Sequence, residues 1–174
     1  MEYKLTQSVQ EEALKTLEEW IAIPSVLDES ASETPFGEDI QRMLEKALAT
    51  CESLGMKTYI DPEGYYGYAE MGQGEELFGV LCHLDVVPVG NPSDWTNDPF
   101  KMVRTSDALF GRGTQDDKGP SIAALYAFKA LLDQGYELNQ RVRFIFGTDE
   151  ETLWRCLNRY NEKEEAVTMG IVPD

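Results

Sequence analysis

Apolar runs of strand length alternate along this chain with apolar stripes at helical spacing, and few architectures accept that alternation. Val9, Ala13, Leu14, Leu17, Trp20 and Ile21 recur every three or four positions before Pro24, which predicts an amphipathic helix. Ser8-Val9-Gln10-Glu11 has the S-x-x-E form of a capping box and marks its expected start. Ile40, Met43, Leu44, Ala47, Leu48, Cys51 and Leu54 trace a second stripe, with Gly55 placed for a left-handed helix cap. The Tyr-bearing runs 57–60 and 65–71 flank Asp61-Pro62-Glu63-Gly64, a turn sequence, so they predict a hairpin. Strands are expected at 77–84, 141–147 and 168–172. A third helix follows Pro120 through Ile122, Leu125, Phe128 and Leu132, and a short one covers 154–160. This order predicts an α/β layered domain, with a mostly parallel central sheet flanked by helices. No repeat or linker divides residues 1–174, which read as one unit.

Composition narrows the function classes. The chain has 174 residues, 42% of them apolar, and a domain of that size buries roughly 70% of the surface its unfolded chain exposes. Fifteen basic against thirty-two acidic residues give a net charge of -17, which repels phosphate backbones and anionic lipid headgroups. Nucleic acid and membrane partners are therefore not expected, and divalent cations are the natural counter-charge. Cys51, Cys82 and Cys156 are far apart and form no C-x-x-C pair, which fits a reducing compartment. The first seven residues lack the basic patch and apolar run of a signal peptide, and no stretch approaches the roughly 18 apolar residues of a membrane span. The expected location is the cytoplasm.

Three expected strands end in groups that bind metals or move protons: His83 and Asp85; Asp149, Glu150 and Glu151; and Asp174. In open α/β sheets ligands bind beyond the carboxyl ends of the strands, so these distant segments can converge. His83-Leu84-Asp85 has i, i+2 spacing, which puts both polar side chains on one strand face and Cys82 and Leu84 on the other. On its own such a pair weighs toward a structural histidine. Gly111-Arg112-Gly113-Thr114-Gln115-Asp116-Asp117-Lys118-Gly119 lacks the G-K-[ST] of a phosphate loop, and its carboxylates would repel a phosphate. That stretch reads equally as an acidic turn entering a helix or as a metal-binding loop. Asp149-Glu150-Glu151 in isolation reads first as complementing a helix dipole.

The ordered set of motifs says more than any one of them. Gly79-Val80-Leu81-Cys82-His83-Leu84-Asp85-Val86-Val87-Pro88, Trp95 with Asp98-Pro99-Phe100, the Gly111 to Pro120 stretch, Gly147-Thr148-Asp149-Glu150-Glu151-Thr152 and Pro173-Asp174 follow in turn. Together they resemble the co-catalytic di-zinc exopeptidases, which include aminoacylases, acetylornithine deacetylases and carnosinase-type dipeptidases. Asp116-Asp117-Lys118-Gly119-Pro120 with Trp154-Arg155-Cys156 is most similar to the PepV-like dipeptidase branch.

The resemblance implies metal-dependent hydrolysis of dipeptides. His83 and Asp174 would bind one Zn2+, Asp116 would bridge to a second, and Glu151 would bind that second ion; Mn2+ or Co2+ could substitute. Glu150 would be the general base toward a zinc-activated bridging water, and Asp85 would orient His83 from the far side of the ring. A cis peptide is expected between Asp116 and Asp117. Members of the family are much longer, so the resemblance implies the N-terminal portion of a catalytic domain, without the lid domain, the remaining catalytic part and a last histidine ligand. Impaired activity of the chain alone and self-association through uncovered sheet edges are expected in consequence. Leu153 stands where the family usually has glycine, so the next helix is expected to start differently. Two alternatives stay open: a non-catalytic metal-binding or structural remnant, and an N-acyl amino acid deacylase of the same family.

Overall fold

The computed structural model describes residues 5–174. The expectation about the first seven residues therefore falls largely outside the described residues, which include only Leu5, Thr6 and Gln7 of that segment. Helices α1 (Gln7–Ile21) and α2 (Glu38–Ser53) come first, followed by strands β1 (Lys57–Ile60), β2 (Tyr66–Met71) and β3 (Leu77–His83). A short pair, β4 (Val103–Arg104) and β5 (Leu109–Phe110), leads to α3 (Lys118–Asp133), β6 (Arg141–Gly147), α4 (Arg155–Lys163) and β7 (Met169–Ile171). The main sheet has the order β1-β2-β6-β3-β7. The β1–β2 and β2–β6 pairs are antiparallel, whereas β6–β3 and β3–β7 are parallel. Four of its five strands thus run the same way, with β2 alone opposed, which is the layered α/β arrangement expected.

The alternation of side chains along each strand divides the sheet into two unlike faces. Phe144 and Phe146 of β6, Val80 and Cys82 of β3 and Ala69 of β2 pack in one cluster with Trp20, Met43, Leu44, Ile122 and Leu125 from α1, α2 and α3. Trp20 is fully buried, its ring set edge-on to Phe146 and its Nε1–H donated to Thr50 Oγ1 at 3.2 Å. Burying a side chain of this kind contributes about 2–3 kcal/mol. Gly67 makes the close approach of α2 possible, since a Cβ there would lie 2.9 Å from Leu48 Cδ1. The opposite face carries Tyr66, Ile145 and Leu81 beneath Tyr160 and Leu157 of α4.

Two helix starts differ from expectation. Thr6, not Ser8, caps α1, its hydroxyl accepting from Val9 N at 3.3 Å. The Ser8 motif lost to a hydroxyl two residues earlier, and Ser8 lies inside the helix. Helix α3 begins at Lys118, so Pro120 sits in its first turn, where a missing N–H costs no helical hydrogen bond. Gly119 is required there, because a Cβ would fall 1.9 Å from Thr114 O. No helix among the described residues is long and apolar enough to cross a membrane.

Candidate metal centre

Strand β3 delivers His83 to the carboxyl edge of the sheet, and β6, its parallel neighbour, ends level with it: His83 pairs in register with Gly147. The turn after β6 carries Asp149, Glu150 and Glu151 past that same edge, and the loop entering α3 brings Asp116 from the other side. His83 Nε2 lies 3.0 Å from Asp116 Oδ1, 3.8 Å from Asp174 Oδ2 and 3.9 Å from Glu150 Oε2. One donor atom from each of His83, Asp116 and Glu151 falls within 4.8 Å of the other two. Segments more than thirty residues apart therefore meet at one imidazole, and Cys82 and Leu84 pack into the apolar cluster instead.

The far side of the ring faces Asp85. His83 Nδ1 is 3.1 Å from the Asp85 main-chain oxygen and 3.4 Å from Asp85 Oδ1, which has no hydrogen-bond partner of its own. The contact expected of the carboxylate is thus led by the carbonyl, and the other carboxylate oxygen, Oδ2, accepts from Glu151 N at 3.0 Å. Asp85 consequently ties the histidine to the glutamate turn, a link that i, i+2 spacing could not reveal. The peptide between Asp116 and Asp117 is cis. Asp116 faces His83, while buried Asp117 turns inward to accept from His83 N and Ser121 Oγ, both at 2.9 Å.

Charge crowding is the main electrostatic fact. Burial alone would push the His83 imidazole down, yet Asp85, Asp117 and Glu150 outweigh it and lift the group to about 9. Glu150 and Glu151 are raised by burial and by neighbouring carboxylates, and burial carries Asp117 up to about 6. Carboxylates this close together are an unfavourable arrangement that a cation relieves. One imidazole nitrogen with several carboxylate oxygens is also a donor set suited to Zn2+ and similar first-row ions. The residues present fit a metal.

Two supports rest on residues of the sequence motifs whose partners had no sequence signal. Lys118, fully buried, donates from Nζ to Trp20 O at 2.9 Å and Ile23 O at 2.7 Å, tying the Asp116-Asp117 loop to the C-terminal end of α1. Asp149, which reads from sequence as a possible helix-dipole residue, is held by Arg155 from the start of α4. Leu153 is exposed and Trp154 adopts a left-handed φ of 57°, so α4 starts at Arg155.

Residues 79–162 match the sequence pattern of Peptidase family M20/M25/M40. The protein named "Putative dipeptidase YtjP" from Bacillus subtilis is 42% identical over 166 residues, 94% of this chain and 35% of that protein. "Putative dipeptidase SH1171" from Staphylococcus haemolyticus is 41% identical over 170 residues, covering 97% and 36% respectively. The chain thus spans about a third of the length of these curated relatives. Among solved structures, human carnosine dipeptidase 1 superposes with a TM-score of 0.76 at 29% identity, over 95% of this chain and 39% of that one. The M20 family metallo-carboxypeptidase Sso-CP2 of Sulfolobus solfataricus gives 0.76 at 29%, over 93% and 37%. The dipeptidase Dug1p of Saccharomyces cerevisiae, at 21% identity, shares the fold with a TM-score of 0.81. Motif order, sheet topology and these similarities agree in likening the chain to peptidase family M20/M25/M40.

Proposed function

We propose that this chain carries the metal-binding half of a dipeptide-hydrolysing site. The observation that carries the reading is the convergence of His83, Asp116 and Glu151 within 4.8 Å, with Glu150 and Asp174 each within 4 Å of His83 Nε2. In this reading His83 and Asp174 would hold one Zn2+, and Asp116 and Glu151 would serve a second ion. Bound there, such ions supply a Lewis acid for the scissile carbonyl and acidify a water molecule. Glu150 accepts that water's proton and returns it to the departing amine, a role favoured by a carboxylate raised above its ordinary range. Asp85 fixes the ring so that Nε2 faces the cluster.

The relatives' names favour a dipeptide over an N-acyl amino acid. A chain that holds metal without turnover is the second reading. His83 is the single histidine of these 174 residues, so within them the second ion would have Asp116 and Glu151 as its ligands. The three cysteines are free and buried, in keeping with a reducing, cytoplasmic setting. Zinc titration with a dipeptide hydrolysis assay separates the readings. Release of free amino acids that is lost in Glu150→Gln while metal binding persists supports the enzyme; metal binding with no turnover supports the remnant. No metal binding by the unaltered chain overturns both.

A further inference from the structure

Helix α4 carries two arginines one turn apart, each gripping a buried aspartate. Arg155 donates from Nε to Asp149 Oδ2 and from Nη2 to Asp149 Oδ1, both at 2.8 Å, and its own main-chain N reaches Oδ2 at 3.0 Å. Thr152 Oγ1 also donates to Asp149 Oδ1, and Trp154 N donates to Asp149 O at 2.8 Å, so the whole turn from 149 to 154 closes on this one residue. The Asp149 carboxylate is wholly buried, and the guanidinium is steadied in turn by Glu29 Oε1 at 3.1 Å and by the Phe36 ring 4.8 Å away. Arg159 repeats the design elsewhere. It donates to Asp61 Oδ2 at 2.8 Å and Oδ1 at 3.0 Å, with Glu63 and the Tyr65 ring as outer contacts, and holds the β1–β2 turn.

We infer that Arg155 is a positioning residue for the candidate metal centre: by fixing Asp149 it sets where Glu150 and Glu151 stand relative to His83. The inference rests on the metal reading of that cluster. Three consecutive carboxylates repel one another, and pairing the first with a forked guanidinium leaves the next two free to face the imidazole. Glu151 is then held at both ends of the turn, since its N–H donates to Asp85 Oδ2 at 3.0 Å. Without the fork, the turn keeps only Thr152 and main-chain contacts to hold a geometry that metal ligation needs to within fractions of an ångström.

The test compares Arg155→Gln, Arg155→Lys and Arg159→Gln in the full chain, read by Co2+ affinity from its visible absorption and by amide exchange without metal. Arg155→Gln should weaken Co2+ binding by about tenfold and speed exchange of the Glu151 and Trp154 amides relative to those of β6. Arg155→Lys, which keeps the charge but not the fork, should fall between. Arg159→Gln should stay within about twofold of the unaltered chain. If circular dichroism shows Arg155→Gln unfolded, the lysine variant decides. Equal affinity and exchange in the Arg155 variants and the unaltered chain overturn the inference, as does an equal loss in Arg159→Gln. Absence of Co2+ binding by the unaltered chain overturns the metal reading instead, and the exchange measurement, which needs no metal, then decides whether Arg155 sets the turn.

Discussion

The two faces of the central sheet are stabilised by different physics. On the side of α1, α2 and α3 the contacts are hydrocarbon and aromatic, made by Trp20, Leu44, Ile122, Phe144 and Phe146. On the side of α4 the sheet carries Arg143, buried among Glu70, Tyr160 and Glu165 at 2.7, 3.0 and 3.1 Å, with its guanidinium 4.1 Å from the Tyr68 ring. Apolar burial is non-directional and tolerates many arrangements, whereas a buried guanidinium needs each partner in place. That difference teaches where register is specified. A one-residue slip of β6 would exchange Phe144 with Arg143 and expose the error on both faces at once.

The largest effect should come from the apolar face. Phe144→Ala should lower unfolding stability by about 3–5 kcal/mol in urea denaturation, through lost transfer energy and an unfilled cavity. A loss under about 1 kcal/mol would mean that this face is loosely packed and that the contrast is overstated. Between the faces, at the strand ends, Zn2+ at a hundred times its dissociation constant should stabilise the chain by about 2.7 kcal/mol. Calorimetry should show the melting temperature rising with zinc and not rising in His83→Ala; an equal rise in that variant would place the ion elsewhere. Next, Arg143→Ala should cost about 2–3 kcal/mol by emptying a buried site and taking from Glu70 and Tyr160 a partner that Arg141, 3.6 Å from Glu70, replaces only in part, while Arg143→Met with Glu70→Met recovers most of it. If the double substitution is worse than the single one, the polar face is held by packing and not by paired charge.

The smallest effect on stability belongs to β7. Met169 and Ile171 on this edge strand and Val172 just beyond it are exposed, and among the described residues one side of β7 has no neighbouring strand in the sheet. Ile171→Lys should change stability by less than about 0.5 kcal/mol. It should also reduce concentration-dependent association in sedimentation velocity, because charge on an edge strand opposes edge-to-edge pairing. Unchanged association would assign any self-contact to another surface.

Legibility followed the range of the interactions involved. Helix α2 was readable because six of its apolar positions repeat without interruption and Gly55 does adopt a positive φ of 86°. The β1–β2 hairpin was readable from its turn, where Gly64 N donates to Asp61 O at 2.8 Å. The β4–β5 pair passed unnoticed, since two residues per strand leave no period to detect. At the site, His83, Asp116, Glu150, Glu151 and Asp174 were picked out by motif order. Lys118 and Arg155 stand in the same motifs, but their anchoring roles were not legible, because what these residues bind is set by chain segments that only folding brings alongside.

By itself, the amino-acid order determined the alternation of helices and strands, the strand ends that carry acid and imidazole groups, and the acidic balance that invites a cation. These are local properties, written in spacing and composition. Only the tertiary structure decided that Asp85 serves both His83 and Glu151, that Asp117 turns away from the cluster its neighbour joins, and that one arginine of α4 holds the glutamate turn while its twin holds the hairpin. Such choices depend on hydrogen bonds between residues tens of positions apart, and their geometry exists only once the sheet has brought those segments to a common edge.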